Sequence, residues 1–163
     1  MANRFDPNFP THLEGDFLGV VAVTEHPAIG DSNLVVDPSK PFEVSVSWHI
    51  FGDLTPLWLT ALQTASPDWV VTAYAESIGP GDEKILVADS VPVGAGPFSL
   101  DQAYSHTMSV PPFALSEENP GDPTQSGVYK LVVTVFLDSQ LGPIGYDIMG
   151  YAEGPIIKVE NPI

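Results

Sequence analysis

No cysteine occurs anywhere in the 163 residues. That single absence removes disulfides, thiolate nucleophiles, zinc-thiolate clusters and iron–sulfur centres. Positive charge is nearly as scarce: Arg4, Lys40, Lys84, Lys130 and Lys158 stand against 21 carboxylates, for a formal net charge of −16. Nucleic acid is therefore excluded as a partner, because releasing counterions from a phosphate backbone needs clustered cations, and these five are scattered. The same field repels anionic lipid headgroups. Long apolar runs are missing too: none approaches the roughly 18 residues that a membrane-spanning helix requires. The opening Met1-Ala2-Asn3-Arg4-Phe5-Asp6-Pro7 lacks a basic-then-apolar leader, so the expectation is a chain that is cytoplasmic at synthesis, with no membrane insertion.

What is present is a chain that alternates apolar segments with breakers. The 17 prolines and 14 glycines are spread along the whole length, which suits many short strands joined by turns. The length suits one buried core and is short for two. The first 16 residues are polar yet interleave Phe5, Phe9 and Leu13. They read as an N-terminal arm (1–16) that covers the edge of its own sandwich in preference to exchanging with a neighbour, and residues 17–163 read as the β-sandwich domain.

Residues 17–24 (FLGVVAVT) read as the first strand, and 33–36 as a short second one after a turn through His26-Pro27 and Gly30-Asp31. In residues 42–51, Phe42, Val44, Val46, Trp48 and Ile50 alternate with Glu43, Ser45, Ser47 and His49. Strict period two over ten residues is the mark of a half-buried antiparallel strand. Thr55 followed by Pro56 reads as a helix N-cap and first-turn proline, and predicts one short helix near 56–64. Further strands are expected at 69–77, 84–93 and 104–110. Residues 127–137 (GVYKLVVTVFL) carry Tyr129, Leu131, Val133, Val135 and Leu137 on one side and Val132 and Phe136 on the other, so this strand should be central. The last strand, 148–159, contains Gly154-Pro155, which predicts a bulge or an edge position because proline cannot donate to a ladder.

The run Ser126-Gly127-Val128-Tyr129-Lys130-Leu131 resembles the tyrosine corner of immunoglobulin-like sandwiches, where Gly-x-Tyr opens the penultimate strand and the phenol bonds back to a loop. The resemblance implies an all-β, single immunoglobulin-like antiparallel sandwich of seven or eight strands plus the one helix. It departs from the antibody pattern in having no cysteine pair, Gln125 where Asp is common, and Trp48 on the second long strand.

Catalytic patterns are missing. His12, His26, His49 and His106 show no HxH or HExxH spacing, although His49 and His106 would approach if their strands were neighbours on one face. There is no GxSxG elbow and no phosphate-cradling glycine loop. Glu117, Glu118 and Asp122 lie in a Pro/Gly loop, where carboxylates and backbone carbonyls offer the one candidate Ca²⁺ site, without matching a calcium-loop consensus. Trp58, in the predicted helix at a sandwich end, is the aromatic placed best to meet a partner, together with Phe5, Phe9 and Leu13 of the arm. The expectation is a non-catalytic protein–protein interaction or assembly subunit that binds a protein partner or self-associates, with no required cofactor. A carbohydrate-binding module, glycan held by aromatics with Ca²⁺ assistance, is the alternative, and a carboxylate- or metal-dependent hydrolase the second.

Overall fold

The computed structural model describes residues 3–25, 34–65, 68–140 and 146–161. Among these residues the chain runs β1 (Asn3–Asp6), β2 (Glu14–Phe17), β3 (Ala22–Glu25), β4 (Val35–Val36), β5 (Phe42–Phe51), α1 (Thr55–Ala65), β6 (Asp68–Ser77), β7 (Lys84–Pro92), β8 (Asp101–Val110), β9 (Val128–Leu137) and β10 (Ile148–Val159). They form an all-β sandwich. One sheet has the order β1-β10-β9-β6-β7, with β4 parallel to the end of β10; in the other, β2 and β3 pair with opposite halves of β5, and β8 pairs with its far side. Among the described residues no helix is long and apolar enough to cross a membrane.

Alternation decides what faces inward. Val44, Val46, Trp48 and Ile50 of β5 meet Leu131, Val133, Val135 and Leu137 of β9 across one shared core, all of them buried. Burying each such side chain contributes roughly 1.5–3 kcal/mol before chain entropy is charged against it. Trp48, Trp69 and Tyr104 form the aromatic centre: Trp48 stacks on Tyr104 at 5.5 Å and meets Trp69 edge-on at 5.7 Å. As expected, β9 is central, between β10 and β6, and the β10 ladder shifts register between Glu153 and Ile156, at Gly154-Pro155.

Two local expectations need correction. Among the described residues there are ten strands where seven or eight were expected, partly because the segment read as one strand over 17–24 breaks at Gly19, whose φ of +75° interrupts the ladder. The N-terminal residues lie on both sheets of the sandwich: β1 joins the five-stranded path beside β10, and β2 joins the opposite sheet beside β5. The first helical bond runs from the Trp58 N–H to the Leu54 carbonyl, so Leu54 is the N-cap and Thr55 already lies in the first turn, its hydroxyl buried with no partner. Part of the second strand and the turns at His26-Pro27 and Gly30-Asp31 lie outside the described residues.

Candidate interaction surfaces

The two ends of the sandwich hold the residues that the sequence singled out. At one end lie α1, the 7–13 turn and the start of β8. Leu13 is 1 % exposed and belongs to the core; Phe5 is half-buried, its ring 4.9 Å from Phe17 and seated where a Cβ on Gly15 or Gly150 would collide with it. Of the three arm residues, Phe9 alone is open, at 52 %. The turn that carries it is pinned to the next loop, with the Thr11 and His12 carbonyls accepting from the Asp53 and Leu54 N–H groups. Trp58 is half-buried, meets Tyr146 edge-on at 5.6 Å and donates its indole N–H to the Tyr146 carbonyl at 3.2 Å. Trp58 is thus an anchor for Tyr146, and among the described residues Phe9, Leu54, Leu57, Leu100 and Tyr146 are apolar groups left open at this end.

At the other end the 111–127 loop borders a groove of about 510 Å³ lined by Pro38, Phe113, Glu117, Glu118, Pro120 and Asn161, among others. Phe113 is 76 % exposed and holds a φ of +62°, rare for a bulky residue, because its N–H is drawn onto the Pro38 carbonyl at 2.7 Å. The Tyr129 hydroxyl donates to the Ser116 carbonyl at 3.0 Å, and burial pushes the phenol pKa up. Two of the candidate calcium carboxylates accept hydrogen bonds: Glu117 from the Asn161 N–H, far along the chain, and Asp122 from both the N–H and the hydroxyl of Thr124, which lowers its pKa. Among the described residues no group of three or more metal-ligating side chains converges.

The histidines are dispersed. His12 bonds Asp53, His49 bonds Asp101 and His106 bonds Asp89, each at 2.8 Å, and among the described residues no hydroxyl bonds any of the three imidazoles. The strands of His49 and His106 are indeed neighbours, but His106 pairs with inward-facing Val46 while His49 faces outward, so the two rings lie on opposite faces of the sheet.

A contrast between the outer faces of the two sheets was not legible residue by residue. Cross-strand register aligns Met149, Phe136 and Val70 in one row of the β10-β9-β6-β7 sheet, Tyr151, Thr134 and Thr72 in the next, and Glu153, Val132, Tyr74 and Ile85 in a third. Val70, Met149 and Ile85 are exposed, Ile85 at 67 %. Charges at these rows include Arg4 and Asp6 on β1, Glu76 opposite Lys130, and Glu153 of the third row, whose Oε1 lies 2.6 Å from the Lys130 Nζ and raises the lysine pKa. The outer face of the opposite sheet instead presents Ser45, Ser47, Ser105, Thr107 and Ser109, with Glu43, the His49–Asp101 pair and the half-buried Phe51 beside His49.

No protein-family model matches the chain, and no curated protein sequence matches it. Among solved structures, it is similar to parts of a β-glucosidase from Listeria innocua seen with gluconolactone and with glucose, at 12 % identity and a TM-score of 0.44 in both cases. The matches cover 94 % of this chain and 17 % of that one, so the chain spans under a fifth of the enzyme's length. A likeness of that grade carries nothing about binding or activity.

Proposed function

We propose that this chain is a non-catalytic protein-interaction subunit whose contact surface is the outer face of the β10-β9-β6-β7 sheet. The observation that carries the reading is the difference between the two outer faces: one shows Met149, Phe136 and Val70 in one row and Tyr74, Val132 and Ile85 in another, with Tyr151, Thr134 and Thr72 between them, whereas the other shows serines, threonine and carboxylates around Phe51. An antiparallel sheet needs only one apolar face to build a sandwich; a second is free energy held in reserve for a contact. The net charge of −16 says what the partner looks like. Its surface has an apolar centre and a basic rim, because an acidic rim would be repelled on approach. The Tyr129–Ser116 bond supports an immunoglobulin-like type for the sandwich.

The test is a comparison of proteins captured from the native lysate by the wild type, by Val70→Glu/Ile85→Glu and by Glu117→Gln/Glu118→Gln. The expected result is a basic protein lost with the first variant and kept with the second, which, added back pure, slows amide exchange in β6, β9 and β10. Capture that is indifferent to Val70 and Ile85 overturns the reading.

A further inference from the structure

The two sheets end side by side in edge strands of opposite character. β7 carries the devices that stop an edge from pairing: Lys84 at its start, Pro92 at its end, and a register break between Ala73 and Tyr74 that kinks the ladder. β8 carries none of these along its edge. It is paired with β5 in continuous register over ten residues, from Asp101 to Val110, with no bulge, proline or lysine, and among the described residues β5 is its one strand partner. Its two inward-facing titratable groups are already held: His106 by Asp89 of β7, and the Tyr104 hydroxyl by the Val93 carbonyl. A straight strand of that length with an open row of N–H and C=O groups is a template for another strand.

We infer that β8 pairs antiparallel with β8 of a second copy, joining two four-stranded sheets into one continuous eight-stranded sheet across a two-fold axis. Charge selects a second copy. In a chain of net charge −16, the stretch from Ser90 to Ser116 holds Asp101 as its sole formally charged side chain, so this edge is where two copies approach with least repulsion. Side-chain size points the same way. Strand addition by a foreign peptide draws specificity from pockets for alternate side chains, and the outer face of β8 offers Ala103, Ser105, Thr107 and Ser109, a flat row of small groups. Such a row is complementary to itself, and it already makes a cross-strand hydroxyl pair, Ser45 to Thr107 at 2.9 Å.

Alternation also limits the register. A two-fold axis normal to the sheet keeps outer residues outer, so residues facing each other must have the same parity and the axis must pass midway between one residue and its own mate. Centring it on Ser105 sets Ser105 against its own mate and Ala103 against Thr107, small against small. The contact uses a different surface from the proposed partner face, so each stands or falls by itself.

The absence of cysteine makes the test direct, since one introduced thiol can react only between copies. Ser105→Cys should cross-link rapidly with a short bis-maleimide, whereas Ser90→Cys, on the blunted edge β7, should not. Wild type should elute with twice the chain mass by light scattering at about 0.15 M salt, where charges are screened beyond ~8 Å. Ser105→Lys, which sets two cations face to face at an exposed site, should reduce that to the single-chain mass while the circular dichroism spectrum of the folded chain stays unchanged. A wild type of single-chain mass at every concentration overturns the inference. So does a dimer that survives Ser105→Lys, or cross-linking of Ser105→Cys no faster than that of Ser90→Cys.

Discussion

At the residue scale, two positions hold the 111–127 loop onto β9. Gly127 adopts a φ of +67°, and a Cβ there would run into the backbone of Glu117 and Glu118. Gly127→Ala therefore combines left-handed strain of about 1–2 kcal/mol with displacement of the neighbouring loop. Tyr129→Phe removes only the bond to the Ser116 carbonyl, at about 0.5–1.5 kcal/mol. Urea unfolding should rank the alanine variant as the less stable of the two; the reverse order would show that the loop yields easily. The Gly-x-Tyr spacing announced this pair in the sequence, because both demands, a glycine-only backbone and a buried phenol, are written in residue type. Asp37 was not legible in that way. Its carboxylate accepts from the Ser39 hydroxyl at 2.6 Å and the Ser39 N–H at 2.9 Å, with Lys40 at 3.6 Å, and these hold its pKa below the ordinary value, the Ser39 hydroxyl foremost. A depressed folded pKa means that the ionised form is the one favoured by folding. The stability it brings is present above the unfolded value of about 3.9 and is lost as pH falls through the folded one. Thermal melts from pH 6 to pH 3 should accordingly show a shallower acid loss for Asp37→Asn than for wild type, and parallel curves would mean that the turn does not depend on the charge.

Elements were legible where one face is buried and illegible where the chain changes sheets. β5, β9 and β10 follow from alternation because a one-residue slip would turn every buried side chain outward. The N-terminal residues gave no such signal: β1 and β2 have four residues each, and their mates β10 and β5 are far off in sequence. Apolar residues in a polar stretch read as an arm over the edge of its own sandwich, with Phe5, Phe9 and Leu13 as candidate contact residues. The structure divides them by role, with Leu13 in the core, Phe5 wedged over Gly15 and Gly150, and Phe9 outside. Leu13→Ala should then cost about 2–5 kcal/mol in chemical denaturation, the range for emptying a core leucine site. Phe9→Ala should stay within about 0.5 kcal/mol, as surface changes do. Equal effects from both would mean that the 7–13 turn packs as a unit. The helix start was misplaced for a related reason: Thr-Pro is a capping signal in isolation, but burial of the Thr55 side chain moves the cap one residue earlier, to Leu54.

At the scale of the whole molecule, charge and surface pattern pull against each other. A chain of net charge −16 repels itself, and the repulsion is strongest in the compact state, where the carboxylates are closest. The core must outweigh that cost, and it does so through one continuous apolar cluster that runs from Leu13 to Val159. Salt separates the two terms, because it screens charge while leaving burial almost untouched. The screening length falls from about 30 Å at 0.01 M to about 8 Å at 0.15 M, so most long-range repulsion disappears over that interval. Melting temperature should rise most steeply between those two concentrations and flatten above them, while any self-association through β8 should strengthen over the same range. The Lys40 contacts with Glu25 and Asp37 would weaken with added salt and pull the other way, but the cations are too few for attraction to dominate. A melting temperature that falls with salt would mean that such pairs outweigh the net repulsion, and the acidity would then have to be explained by local contacts instead of by the field of the whole chain.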